Sequence, residues 1–357
     1  MHSPRRPLLL GALTAPWLAG RASAQTITLR SARVDLRSSA AAVTLIAVFV
    51  IFAVLGLFAG KRLASTQGHM SRPQVGTATR VLIAVLALGS VYMAVAALGP
   101  VTNYDTGLYH LGAVKYSGDF ATIPGIANLM NPIGYNNSLF PLAAALGNGP
   151  WDGVGYRLIN GLLMAMMATD LVLRLMQRRK SVGTYILLVG VLASWIPLIA
   201  LSDYWVISPT SDSAVMILTL VAVGYLADAI QRSDGGQRDA LVSIIVSVLI
   251  VSMRPTMVFF LAAVVLVVVI RAIRARGQGP GMSSSAWGVG VVLSVILLGV
   301  QVVRDYRLSG WLEYPLSLHH FDVPWLAADP VDLRTATLGA ARDPGNLWEA
   351  AKGWGWI

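Results

Sequence analysis

Apolar runs of similar length, parted by short basic segments, set the pattern of this chain. A helix needs roughly 20 residues to cross a bilayer core. Runs of that order cover 40–60, 80–99, 157–176, 183–201, 213–230 and 286–303. The stretch 240–270 is too long for one span and short for two, and Arg254–Pro255 interrupts it. Proline lacks a donor for the helix ladder and clashes with the preceding turn, so the pattern predicts a hairpin of two short helices. The expected fold is all-α: a polytopic transmembrane bundle of about eight spans after the N-terminal segment.

The connections are uneven. Those at one end of the spans are short. At the other end, 101–156 forms a long loop, and 304–357 a long tail. Within the loop, 106–118 is amphipathic and suited to lie at a membrane interface. The apolar stretch from Ser138 to Gly147 is too short to cross and reads as a re-entrant or interfacial helix. Residues 1–25 join a basic start, a short apolar run and Ala22-Ser23-Ala24 before Gln25, the pattern of a signal peptide. An uncleaved anchor or a misassigned start are the alternatives. Three regions follow: a signal-like or anchor segment with its linker at 1–36, a membrane module at 37–303, and a tail at 304–357.

Composition supports this picture. Of 357 residues, 55% are hydrophobic and 12% charged, against about 25% charged in ordinary soluble domains. That disfavours a soluble enzyme and a disordered chain. With no cysteine, disulfides, thiolate metal sites and cysteine nucleophiles are excluded. The formal net charge of +10 would suit nucleic acid, but its placement argues otherwise. Lys and Arg concentrate in cytoplasmic loops. Placing 61–80, 174–180, 231–239 and 271–276 on that side gathers 13 of the 27 basic residues there, including Arg174, Arg179, Arg232 and Arg271, while the opposite face holds 12 of the 17 acidic ones. A single span at 240–270 would break this bias, so charge also favours the hairpin. The basic balance is then topological, with anionic lipids as neighbours and no nucleic-acid partner expected.

The opposite, extracytoplasmic face carries the candidate chemistry, since long structured loops are where function concentrates. Asp105 stands just past the 80–99 span, where a carboxylate can ionise in water and act as a general base on a hydroxyl. Its plain alternative is to cap a helix starting at Thr106. His110 and Lys115 are candidate phosphate contacts. Asp212 opens the 213–230 span, with an N-cap as its alternative. Arg254 is a cation inside a membrane stretch, which calls for a partner or a watery cavity. An Arg fork suits a phosphate, and pairing with Asp203 or Asp212 is the structural alternative. Arg304 and Arg307 stand on one side of a helix end, against the charge bias. Trp311, Tyr314 and Trp325 read as interface anchors or as platforms for sugar faces. Adjacent His319 and His320 with Asp322 lack clean ligand geometry, so no metal site is expected. Asp170 with Arg174, and Asp228 with Arg232, are helix pairs at spacing i, i+4. No P-loop, GxGxxG, HExxH or GxSxG is present.

At Tyr104-Asp105-Thr106-Gly107-Leu108-Tyr109-His110 the chain resembles bacterial multi-pass proteins of glycosyltransferase-C (GT-C) organisation, in particular a family with a D-x-x-x-Y-H loop. Segments 124–129, 134–138, 207–212 and 308–315 extend the likeness over roughly 80–325. The resemblance implies a GT-C-like bundle in the bacterial inner membrane, acting outside the cytoplasm. Asp105 would activate an acceptor hydroxyl. The donor would be a polyprenyl-phosphate sugar reacting with inversion, its phosphate held by cations such as Arg254, Arg304 or Arg307, with His110 and Asp212 nearby. No cofactor is implied, and a need for a divalent cation stays open. The chain departs from the family in three ways: the 40–60 span precedes the expected first helix, no paired acidic motif stands beside Asp105, and further helices would be expected beyond Ile357. A transporter or flippase for lipid-linked saccharides and a non-catalytic envelope subunit are the other readings.

Overall fold

The computed structural model describes residues 76–147, 151, 153–177, 179–232, 236–274 and 284–330. The 1–36 segment, the expected 40–60 span and the tail beyond 330 lie outside them. Helix α1 (Thr77–Ala96) occupies the expected 80–99 span. A wide π-turn at Thr106–His110 then leads into α2 (Leu111–Asp119). Two 3-10 turns, Ile126–Asn128 and Asn131–Gly134, precede the short α3 (Leu139–Leu146). A third, Gly155–Leu158, winds into α4 (Ile159–Met176). There follow α5 (Val182–Ala200), the one-turn α6 (Ser202–Trp205), α7 (Ser211–Gln231), α8 (Gln237–Met253), α9 (Val258–Arg274) and α10 (Ser284–Ser309). A two-stranded antiparallel hairpin, β1 (Trp311–Glu313) and β2 (Leu316–His320), follows α10 directly.

Five of these helical segments are long and apolar enough to cross a membrane: Thr77–Ala96, Gly155–Met176, Ser211–Gln231, Pro255–Arg274 and Trp287–Ser309. The apolar part of α5, Val182–Trp195, is shorter, and α8 has 17 residues. The architecture is that of a helical membrane protein. Large apolar side chains such as Leu88 on α1, Val189 on α5, Phe259 and Leu266 on α9 and Val295 on α10 are exposed. Surfaces of this kind are rare on soluble monomers. Inside, Met164, Met167 and Leu171 of α4 meet Leu187 and Val191 of α5 and Ile217 of α7 in one fully enclosed cluster.

The 240–270 stretch breaks where proline requires. Helix α8 ends at Met253, Arg254 is extended, and Pro255 opens a 3-10 turn into α9. The guanidinium of Arg271, near the end of α9, donates to the carbonyl of Arg232, just before α8. The two helices therefore fold back on one another as a hairpin. Helix α10 runs without a break to Ser309, so the expected boundary at 303/304 falls inside one helix.

One pole of the bundle is tied by charge. Asp228, fully buried on α7, bonds the Arg174 guanidinium of α4 and lies 3.1 Å from that of Arg179. Its other oxygen accepts the backbone N–H of Gly183 at 3.0 Å. Arg179 also reaches Asp239 of α8 at 2.7 Å, and Arg232 lies 3.6 Å from the same carboxylate. Arg174 bonds Asp170 at 3.0 Å and stacks over the Tyr225 ring at 4.3 Å. The expected Asp170–Arg174 pair thus forms, whereas the Asp228 carboxylate meets Arg174 and Arg179 from outside its own helix and the Arg232 guanidinium lies against Asp239. Burial makes such contacts necessary, since a buried charge without a partner is strongly destabilising.

Gly183 is what lets α5 approach this close. A Cβ there would stand 2.1 Å from the carbonyl oxygen of Gly224 and 2.4 Å from Oδ1 of Asp228. Small residues at helix crossings permit such approach in membranes. Gly183→Ala is therefore expected to lower the thermal unfolding midpoint and membrane abundance. Gly288→Ala on α10, where a Cβ meets nothing within 4 Å, is expected to leave both unchanged. Equal behaviour of the two variants in a melting assay would count against this packing.

Candidate functional site

The opposite pole is assembled from the 101–138 loop, the α8–α9 joint and the end of α10. The loop is fastened at several points. The backbone N–H of Thr102 donates to the carbonyl of Asp203 at 3.0 Å, and its hydroxyl to the Asp203 carboxylate at the same distance. Ser138 meets Ser252 at the end of α8 through hydroxyls 2.7 Å apart and a backbone bond of 3.1 Å. Asn136 is the hub on the α10 side. Its amide donates to the carbonyl of Gln301 at 2.6 Å and to Oδ2 of Asp305 at 3.0 Å, while its Oδ1 accepts from Arg304 at 3.1 Å.

Asp105 does not cap a helix. Its backbone is already helical and its side chain makes no cap bond. Asn103 does that work, with its Oδ1 accepting the N–H of Thr106 at 3.3 Å. Among the described residues no hydrogen bond or ion pair engages the Asp105 carboxylate, which is exposed. The π-turn that follows is closed by the N–H of Leu111 donating to the carbonyl of Thr106; such turns often mark functional positions in helices. Tyr109, on the same turn, feels both Asp105 and Arg254, and its phenol is pushed up to about 12, first by burial and then by the Asp105 charge. It therefore stays a proton donor at any physiological pH.

Asp212 is not a cap either. Thr210 takes that role, its hydroxyl accepting the N–H of Asp212 at 3.4 Å. The Asp212 carboxylate instead pairs with Arg254, both about half exposed. Below the pair, an apolar groove of about 480 Å³ runs between α5 and α7, lined by Gly190, Ala193, Trp205, Met216 and Leu220 and bounded by Asp212 itself. Asp105, Tyr109, Arg254 and Asp212 thus form one neighbourhood.

The remaining candidates separate from it. His110 is buried between the rings of Tyr109 and Phe140. Its Nδ1 lies 3.5 Å from the hydroxyl of Thr106, which shares a 2.7 Å bond with Ser208. Burial lowers the imidazole to about 4, so it lacks the charge that a phosphate contact calls for, and it packs the turn that carries Asp105. Lys115 pairs with Asp119 on the exposed side of α2. Arg304 is half-buried and bonds Ser117 as well as Asn136. Arg307 is exposed, and its carbonyl accepts the N–H of Gly125 at 2.9 Å. One side of the helix end therefore holds two arginines in unlike settings.

The aromatic residues after α10 also differ from expectation. Trp311 and Tyr314 are buried in a small core with Ala127 and Ala327, and the Trp311 indole donates to the carbonyl of Ala327 at 3.0 Å. The hairpin needs them to close on the loop, which removes them from interface or sugar contact. Trp325 packs on Tyr306 and seats Gly125, whose φ of 72° and close approach to Trp325 suit glycine alone. His319 and His320 lie exposed on β2. Among the described residues no group of three potential metal ligands occurs.

Two groups here titrate in opposed senses. Burial raises Glu313 from 4.5 to about 7, so folding takes up a proton in that window, and stability falls as pH rises through it. His110, lowered from 6.5 to about 4, must stay neutral when folded, so stability falls as pH drops through that range. Over the shared range the two slopes oppose, so Glu313→Gln is expected to make the midpoint rise more steeply with pH there, and His110→Leu to make it fall. Unchanged slopes in either variant would show that the group does not titrate as its surroundings dictate.

Sequence comparison places this chain. No curated protein and no solved structure matches it. A family match spans residues 26–331, most of the chain and all of the described fold. The chain belongs to the family described as a domain of unknown function, DUF8201.

Proposed function

We propose that this protein is an integral membrane glycosyltransferase that moves a sugar from a polyprenyl-phosphate donor to an extracytoplasmic acceptor. The observation that carries this reading is the unengaged Asp105 carboxylate, freed from capping by Asn103 and set near Tyr109 together with Arg254. In the proposed step Asp105 takes the proton of an acceptor hydroxyl while that oxygen attacks the anomeric carbon. The bond from that carbon to the donor phosphate breaks, with inversion. Arg254 meets the charge left on the phosphate, since a guanidinium has five N–H donors and its pairing with Asp212 leaves others for an incoming oxyanion. Protonated Tyr109 is a neighbouring donor.

The apolar groove below Asp212 supports a donor with a hydrocarbon tail, because Asp212 bounds it and it lies between the apolar helices α5 and α7. The GT-C resemblance supports the inverting chemistry and the bacterial inner-membrane setting. Transport is less well supported. The buried charge network within the spans gathers at the other pole, where its members bond one another.

Asp105→Asn is expected to abolish transfer, by at least about a hundredfold as for loss of a general base, with insertion and abundance unchanged. The measurement is profiling of envelope glycans and lipid-linked intermediates in a deletion strain complemented with each form. Accumulation of an unused polyprenyl-phosphate sugar with Asp105→Asn supports the reading. Normal glycans with that variant would sink it.

A further inference from the structure

On the far side of Tyr135 from the Asp105 neighbourhood lies a separate cavity of about 320 Å³. That is the lower end of the range for small-molecule sites. Its wall mixes aromatic faces (Tyr116, Tyr135, Phe140) with the hydroxyls of Ser117 and Thr122, and Arg304 of α10 lines it. Tyr135 and Phe140 also pack against Tyr109, so this wall divides the two spaces.

Arg304 is the notable group. It is half-buried, yet among the described residues no ion pair engages it. Its two hydrogen bonds go to neutral oxygens, Oδ1 of Asn136 at 3.1 Å and the hydroxyl of Ser117 at 3.1 Å. Of the five N–H donors of a guanidinium, those bonds use two and leave three. The adjacent carboxylate, Asp305, bonds the same Asn136 amide and acts on Arg304 through its charge, but it takes none of the guanidinium's hydrogen bonds. Arg254, by contrast, already has Asp212, and Arg174 has two carboxylates. A partly desolvated cation with spare donors at a cavity wall is arranged for an oxyanion. Charge-assisted bonds from a guanidinium fork suit phosphate oxygens in particular. Val300, exposed on the lateral face of α10, lines the same cavity, so the cavity's rim reaches the outer, apolar side of that span.

We propose that this cavity is a binding site for a small organic phosphate, with Arg304 holding the phosphate and the Tyr116–Tyr135–Phe140 wall packing the organic part. The ligand is either a soluble phosphate ester or the phosphomonoester head of a lipid. The binding itself does not rest on the transferase reading. Should that reading hold, the site would make the second substrate, the acceptor, an anionic one.

The experiment measures binding to the purified full chain. Glycerol 3-phosphate and inorganic phosphate are titrated in detergent against chloride at matched ionic strength, with the thermal midpoint as readout. In parallel, nanodiscs with phosphatidic acid are compared with phosphatidylcholine alone. A saturable rise with glycerol 3-phosphate identifies a soluble ligand, and a rise only with phosphatidic acid identifies a lipid head. Arg304→Gln is expected to weaken either by at least about tenfold, the worth of one charge-assisted hydrogen bond. Ala121→Trp, which fills the cavity from an exposed lining position, is expected to block it with Arg304 intact, and decides the matter if Arg304→Gln does not fold. Asp105→Asn is expected to bind as the parent does. Absence of any phosphate-specific shift, or undiminished binding in Arg304→Gln or Ala121→Trp, would overturn the proposal. Binding that persists in a protein that transfers no sugar would leave it standing and remove the transferase reading alone.

Discussion

The buried carboxylate of Asp228 is the contact on which the rest of the bundle depends. It bonds Arg174 from α4, lies against Arg179 from the turn before α5, and accepts the backbone N–H of Gly183. Through Arg179 it is linked to Asp239 of α8. One side chain of α7 thereby fixes where three other helices end. In a low-dielectric interior this arrangement tolerates little change, because each charge is needed to neutralise another. Rotating or sliding any of these helices would leave one of the buried charges without its partner.

The far pole is held together by different chemistry. Asn103, Asn136, Asn137, Ser138 and Thr210 make its defining bonds. Amides and hydroxyls there do the capping and cross-linking that carboxylates and guanidinia do at the basic pole. The consequence is a division of labour among charges. Where neutral groups carry the structure, Asp105 and Arg304 are left with spare hydrogen-bonding capacity. Arg254 and Asp212 form an exposed pair that a ligand can enter.

Much of this was legible in the sequence, and the limits are physical. Five spans among the described residues agree with apolar run length, fewer than the roughly eight that run length alone predicts. The break at Arg254–Pro255 followed from proline stereochemistry and the bias of Lys and Arg. The Arg254–Asp212 pair was among the alternatives that a cation in a membrane stretch must have. What could not be read depends on packing between distant segments. The i, i+4 pattern gives Asp228 a neighbour on its own helix but says nothing of Arg174, 54 positions away. Asn136 reads as a turn residue, and only the approach of α10 makes it a hub. The capping of Thr106 by Asn103 rather than Asp105 turns on a single backbone angle. The burial of Trp311 and Tyr314 follows from the β-hairpin folding back on the loop, for which aromatic content alone gives no signal.

The π-turn at Thr106–His110 has a further consequence. Its closing bond spans five residues instead of four, so it inserts one extra position into the helical winding between Tyr104 and Asp119. Each residue of an α-helix advances the winding by about 100°. Were the turn to relax to an ordinary α-turn, everything before it would swing by roughly that angle about the axis of α2. The direction in which Asp105 faces is therefore encoded in the length of this segment as well as in its residues. A one-residue deletion could preserve every candidate side chain and still aim the carboxylate at a different part of the molecule.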